Sequence, residues 1–405
     1  MSPEREGAFV TTESRRGVGP IPRSERSPAP DIARGAMLLF IAIANAAVHL
    51  YGRPFDEYTN LADAGFADRF ALAVEQLFIA ERARPMFAIL YGFGIAVMAS
   101  RMFERGLGPK EVRRVLRRRS WWLVVLGLLH AALLFYGDIL APYGAAGLIV
   151  LAFVHLSDRA LRRWFLGIAL YVVFVGVPVL ALVYSVSTAA PPSQAPALPP
   201  YAEQLITGTI ASVSGTLVMT LLLALVPLVL VGVMLQRAGW IDRPEDHLPA
   251  LRRVFVSGMA VNIFSALPVA LVGLGVWQPS STGHIVALGL TLLGGMYAGL
   301  GYICGFALLA HRWRSYGHRG VPGALAAVGE RSLTCYLAQS FVLAPLLAPW
   351  GFGLGDDLGY LGAYGVAAAT WLATVGIAVL LARAGRRGPF EVVLRRLTYG
   401  RVRGA

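Results

Sequence analysis

Ten apolar stretches run through the chain, at roughly 33–51, 85–100, 120–136, 139–156, 164–186, 208–236, 252–277, 285–310, 332–350 and 360–382. A helix needs about 20 apolar residues to cross the hydrocarbon of a bilayer. The pattern therefore predicts an all-α, polytopic membrane helix bundle of about ten transmembrane helices. The segment before the second stretch is different. Phe66, Phe70, Val74, Leu77 and Phe78 recur at helical spacing beside Asp68, Arg69 and Glu75, which predicts an amphipathic helix over 66–80 lying on or re-entering the membrane surface.

The polar gaps alternate in charge. Of the 36 Lys and Arg residues, 31 fall in 1–34, 101–119, 157–163, 237–253, 311–320 and 383–405, while the intervening gaps are nearly empty of cations. Cytoplasmic loops of membrane proteins are rich in Lys and Arg. The alternation is satisfied throughout by an even number of spans with both termini cytoplasmic. It divides the chain into a Pro-, Ser- and Arg-rich tail over 1–30, expected to be a disordered cytoplasmic segment, a five-helix membrane region over 31–186, a Pro-rich external loop over 187–206, and a second five-helix region with a basic cytoplasmic tail over 207–405. The first apolar run is too long for a signal peptide and reads as an uncleaved span.

Composition adds little beyond this. The residues are 56% hydrophobic and 15% charged, with a formal net charge of +13. In a soluble protein that charge would suggest nucleic acid; here topology and the anionic inner leaflet account for it, and no nucleic-acid partner is expected. Cys304 and Cys335 both sit inside apolar stretches. They have no metal-ligand spacing and imply neither a metal site nor a disulfide framework.

Polar residues at membrane depth are costly and default to functional candidates. In the first span, Asn45 follows Arg34 by eleven residues, an offset of about 20° and about 16 Å along a helix, and His49 follows by four more. Arg34, Asn45 and His49 thus form one polar stripe. Glu81 and Arg84 stand at the outer end of the second span, available to each other or to an anion. His130 lies at mid-depth in the third span as a candidate general base, because imidazole tolerates burial and titrates near neutrality. Asp138 follows eight residues later, about 12 Å along a helix, so direct contact with His130 is not expected. In the ninth span Ser332, Cys335 and Gln339 share a face that must line a cavity or another helix. The arginines at 113, 114, 117, 118 and 119 set topology or dock an anionic cytosolic molecule. Gly294, Gly295, Gly299 and Gly301 point to close helix packing.

The blocks Asp31-Ile-Ala-Arg-Gly-Ala, Asn45, Glu81 through Gly94, Gly127-Leu-Leu-His130, Gly137-Asp-Ile-Leu140 and Tyr143 resemble the YeiB-like bacterial inner-membrane proteins. Gly329 through Ser340 and Gly388 through Gly400 resemble that family's closing domain, the domain of unknown function 418. Pro85 and Cys335 depart from the residues usual there. More distantly, Asp31-x-x-Arg34-Gly35 with Asn45, Pro85, Phe87 and Gly94 is similar to the start of the heparan glucosaminide acetyltransferase family and of bacterial membrane acyltransferases. The position eleven after the arginine is commonly His in the latter and is Asn45 here, which shifts attention to His130 or His49. The resemblance implies a multi-pass protein of the bacterial inner membrane with an acyltransferase-like N-terminal region. Such a protein would move an acyl group from a cytosolic acyl-CoA-type donor to an extracytoplasmic small-molecule or glycan acceptor. His130, Asn45 and His49 would be candidates for catalysis; Arg34, Glu81, Arg84, Asp138 and Gln339 would contact substrates. A transporter or exporter of a small molecule, or a non-catalytic membrane role, remains the alternative reading of the same polar residues.

Overall fold

The computed structural model describes residues 27–50, 64–182, 201–317 and 319–400. The expected tail up to residue 26 and the loop residues 187–200 lie outside the described residues. What is described is helical. The first half comprises α1 (Ala29–Val48), α2 (Phe66–Phe78), α3 (Ala83–Glu104), α4 (Pro109–Leu133), α5 (Leu140–Val150) and α6 (Asp158–Leu182, with a π-turn at Val172–Gly176). Then come α7 (Tyr201–Leu221), α8 (Val226–Arg237), α9 (Leu248–Gly273), α10 (Ser281–Arg312), α11 (Gly320–Glu330), α12 (Ser332–Leu347), α13 (Leu354–Asp357), α14 (Tyr360–Arg383) and α15 (Pro389–Tyr399).

Among the described residues, seven helical stretches are long and apolar enough to cross a membrane: Ala29–Val48, Phe66–Glu104, Asp158–Leu182, Gln204–Leu221, Pro244–Gly273, Ser281–Arg312 and Tyr360–Arg383. Leu140–Val150, Val226–Arg237 and Ser332–Leu347 are shorter apolar helices. One apolar run therefore does not form one span. The stretch at 208–236 breaks at residues 222–225, where Leu223 takes a left-handed φ of 53° and Pro227 occupies the start of α8. Proline has no amide hydrogen and begins a helix better than it continues one. Hydropathy does not register that break. Likewise the run at 139–156 yields a helix of only 11 residues.

The solvent pattern is that of a protein dissolved in lipid. Phe264 is 85% exposed on the perimeter, and Phe174 and Leu380 are exposed with it, while its near neighbour Asn262 is fully buried. With no water in the hydrocarbon, polar groups must be satisfied inside the bundle. The amphipathic helix predicted at 66–80 is α2. It turns Phe66, Phe70, Val74 and Phe78 outward and buries Leu72, Ala73, Glu75 and Gln76, packing on α9 and α14. Asp68 on α2 accepts the backbone N–H of Leu361 at 2.8 Å in the first turn of α14, where a helix has amides without internal partners and favours negative charge.

Lipid tails are as apolar as leucine, so helices associate through close packing of small residues. The pair α3–α8 depends on Gly92, whose missing side chain makes room for the Val229 backbone carbonyl, and on Gly232, which does the same for Ile89. Helix α1 meets α11 through Gly35 against Leu325 and Gly329 against Asp31. The four glycines of α10 pack as the sequence suggests: Gly294 against Ser265, Gly295 against Glu81, Gly299 against Pro85 and Gly301 against Gly258. Because the groups facing Gly92 and Gly232 are backbone, neither partner can move aside. Gly92→Val and Gly232→Val should each strongly lower the folded yield in detergent, whereas Gly167→Ala, which faces open space, should leave it within about 1 kcal/mol of wild type. Monodispersity and thermal unfolding of the purified variants check this.

A candidate site at the floor of a polar-rimmed cavity

Helix α4 ends at Leu133, and the chain turns back through residues 134–139 into α5. The reversal brings Asp138 beside His130: Nδ1 of His130 and Oδ1 of Asp138 are 2.8 Å apart, with both side chains almost fully buried. The expected 12 Å separation assumed one continuous helix and is corrected by the hairpin. A carboxylate accepts only, so Nδ1 carries the hydrogen and Nε2 is left as the acceptor. Nε2 is buried and has no hydrogen-bond partner among the described residues. The other oxygen, Oδ2, accepts the backbone N–H of Ala141 at 2.8 Å in the first turn of α5. The Tyr336 hydroxyl from α12 approaches Oδ1 at 3.4 Å, and its ring lies 5.1 Å from that of His130. Asp138 is thus a buried junction of three helices rather than part of an open mouth.

Tyr336 links this junction to a cavity of about 290 Å³. Leu90, Tyr91, Phe87, Tyr143, Leu140 and Tyr336 form its apolar and aromatic part; Arg34, Arg101, Arg119, Asp242, Glu330 and Glu391 supply charge. Arg34 is held on the wall, donating to Asp31 Oδ1 and to the Leu90 carbonyl, each at 3.1 Å. Gly94 faces its guanidinium. Glu391, on α15, organises the start of α12: Oε1 accepts the amides of Leu333 and Thr334 at 2.8 and 3.0 Å, and Oε2 accepts the Thr334 hydroxyl. Arg331 is buried at the break between α11 and α12, where it donates to the carbonyls of Ala327 and Arg386 and pairs with Glu330.

The sequence candidates distribute unevenly around this site. Arg34 lines the cavity; His130 and Asp138 lie behind Tyr336. Asn45 is half-buried in α1 and outside the lining, and His49 ends α1 with its ring 5.0 Å from that of Phe135, which lies 6.5 Å from that of His130. Arg84 pairs with Glu81, which adopts a left-handed φ of 56°. Both lie outside the lining, yet the Arg84 carbonyl accepts the Tyr143 hydroxyl at 2.8 Å, and Tyr143 is on the cavity wall. On α12 the cavity takes Ser332, Leu333 and Tyr336. Cys335 instead faces the Thr374 carbonyl, and Gln339 is buried with neither amide atom partnered. The face is rotated by one residue, about 100°, from the one drawn through Ser332, Cys335 and Gln339.

A second buried polar unit was not singled out from sequence. Arg82 is completely buried; Nε donates to Asn262 Oδ1 at 2.6 Å, Nη1 donates to the Ala80 carbonyl, and Asn262 in turn donates to the Leu77 carbonyl at 2.8 Å. The only sequence signal was its place in Glu81-Arg-Ala-Arg84, where spacing cannot say which arginine turns inward. No group of His, Cys, Asp and Glu that could hold a metal occurs among the described residues.

Removing the junction should be felt in stability. Asp138→Ala strands His130 Nδ1 and the Ala141 amide in a buried environment and should cost about 1–3 kcal/mol per stranded group. Asp138→Asn can still accept from Ala141 and should cost less. Thermal unfolding in detergent, with Ser332→Ala as a control at the cavity wall, measures the difference.

Residues 235–401 match a family described as "Protein of unknown function (DUF418)". The chain is 25% identical to "Uncharacterized protein YxaH" of Bacillus subtilis (strain 168) over 407 aligned residues, which cover 93% of this chain and 95% of that protein. It is 28% identical to "Uncharacterized protein YeiB" of Escherichia coli (strain K12) over 394, covering 92% and 96%. The DUF418 match covers the second part of the chain, and the likeness to YxaH and YeiB extends over more than nine-tenths of its length.

Proposed function

We propose that the protein is an acyltransferase of the bacterial inner membrane, with ten spans and both termini cytoplasmic, that takes an acyl group from a cytosolic acyl-CoA-type donor. The observation that carries the reading is the juxtaposition of a charged, arginine-bearing rim, an aromatic floor, and a His–Asp pair directly behind Tyr336. A cavity of about 290 Å³ sits at the small end of small-molecule sites. It suits an acyl chain and its thioester, with the donor's phosphates held outside, near Arg101 and Arg119. Arg34 would orient the donor's polar portion on the wall.

In the step itself, the acceptor oxygen or nitrogen bonds to the acyl carbonyl carbon and the carbon–sulfur bond breaks. The acceptor's proton passes to His130 Nε2 and from there to the leaving thiolate. Asp138 on Nδ1 fixes the tautomer that leaves Nε2 free and stabilises the imidazolium, the logic of a carboxylate-supported base. Tyr336 is the member of the trio on the cavity wall; its hydroxyl approaches Asp138 and its ring lies beside that of His130, so this side chain would have to shift for the acceptor to reach Nε2. The acceptor would approach from the end marked by Glu81 and Arg84, where Tyr143, bonded to the Arg84 carbonyl, closes the cavity and would have to move to admit it. Asn45, His49 and Gln339, outside the lining, would act on helix packing or on the acceptor's path. A transporter would use the same polar groups along a through-path. The cavity lining includes neither Glu81 nor Arg84, which favours a site over a passage.

Comparison of lipid and envelope-glycan masses in cells with and without the gene identifies the product. In membranes carrying the protein, His130→Gln and Tyr336→Phe should lower its formation by about 10²-fold or more, the scale of a lost general base, while Arg34→Gln weakens donor binding. All three should retain wild-type membrane levels. Unmodified solute accumulating across vesicles of the purified protein, with no acylated product, would replace transfer by transport.

A further inference from the structure

Away from this cavity, α15 packs along α4 and the two enclose a groove of about 260 Å³, lined by Leu107, Glu111, Arg114, Val115, Arg118, Thr398 and Tyr399. Its walls are joined by Arg118, whose Nη2 donates to the Leu397 carbonyl at 3.0 Å. Thr398 is 1% exposed, and its hydroxyl, buried in the groove wall, has no hydrogen-bond partner among the described residues. A buried hydroxyl without a partner is destabilising unless something supplies one. The acidic member, Glu111, is engaged by the Gly108 amide at 3.2 Å where α4 begins. Arg395 lies over the Tyr399 ring at 5.7 Å, adding a third cation at the rim. Beside the groove, α15 exposes Tyr399 and, about 120° round the helix, Val393, an interfacial aromatic and an apolar side chain of the kind found where a helix lies in a membrane boundary.

We propose that this groove is a binding site for the phosphate headgroup of an anionic phospholipid. Arg114 and Arg118 contact the phosphate oxygens, the Thr398 hydroxyl donates to one of them, and Tyr399, exposed at the groove, meets the acyl region. The apolar surface next to the cations selects a lipid-borne phosphate over a soluble one. Occupancy would clamp α15 to α4. Because α15 also presents Glu391 to the start of α12 and thus to the cavity, a lipid bound here would stiffen the cavity rim. The inference stands independently of acyl transfer.

The test uses the full-length protein in phosphatidylcholine nanodiscs with graded phosphatidylglycerol, read by native mass spectrometry of retained lipid and by thermal unfolding. Wild type should retain phosphatidylglycerol in preference to phosphatidylcholine and unfold at higher temperature when it is present. Arg114→Gln and Arg118→Gln should each weaken retention by about fivefold, the value of one arginine near an anionic surface. Arg118→Gln also cuts the α4–α15 tie, so Thr398→Val serves as the second variant: it should weaken retention while leaving the unfolding temperature in pure phosphatidylcholine unchanged or higher. Inorganic phosphate added to phosphatidylcholine discs should give no stabilisation. Equal phosphatidylglycerol retention by wild type, Arg114→Gln and Thr398→Val would overturn the proposal. Stabilisation by soluble phosphate with none by phosphatidylglycerol would overturn it in favour of a soluble ligand.

Discussion

A carboxylate buried where the chain reverses between α4 and α5 binds three elements at once. Asp138 holds His130 of α4, the first turn of its own α5, and Tyr336 of α12. In a hydrocarbon environment such a group has no water to fall back on, so its partners are obligatory rather than optional. That requirement holds the Tyr336 side chain against the α4–α5 hairpin and sets it at the floor of the cavity, while α12 itself packs on α1, α14 and α15. Each further feature of the site follows from keeping α12 there: Glu391 organising its first turn, and Arg331 satisfying carbonyls at the break from α11.

The glycine contacts supply the complementary half of the architecture. Helices in lipid gain little from apolar burial against each other, so the pairs α3–α8, α1–α11 and α9–α10 rely on backbone approach at Gly92, Gly232, Gly35, Gly329, Gly258 and Gly301. These contacts bring α1 and α3 close enough for Arg34 to reach the Leu90 carbonyl. The cavity is therefore walled by helices that cannot easily separate, which suits a preorganised site more than a wide rocking gate.

Much of this was legible in the chain. Apolar run length gave the helical membrane class, and the Phe66–Phe78 periodicity gave the surface helix with its outward stripe. Arg34, His130 and Asp138 stood out as candidates because charged or titratable residues at membrane depth need a reason to be there. Three things were not legible, each for a physical cause. The break at residues 222–225 lies inside an uninterrupted apolar run, and hydropathy is blind to backbone conformation. The His130–Asp138 contact depends on where α4 stops, which helical spacing alone overestimates. The cavity face of α12 follows from the helix's rotation about its axis, set by Asp138 and Glu391 far away in sequence, so Tyr336 was passed over for Cys335 and Gln339. Arg82 and Asn262, 180 residues apart, belong to the same class of long-range pairing.

The central claim is that a cavity open at the cation-rich face ends at Tyr336, with the His130–Asp138 pair behind it. Single cysteines placed in a Cys304→Ala, Cys335→Ala background and challenged with a membrane-impermeant thiol reagent from either side test it directly. Met98→Cys and Leu333→Cys, both on the cavity lining, should be labelled from the cytoplasmic side alone, and Gln339→Cys from neither. Labelling of Leu333→Cys from the outer side, or of Gln339→Cys as readily as Leu333→Cys, would contradict a one-ended cavity floored by Tyr336.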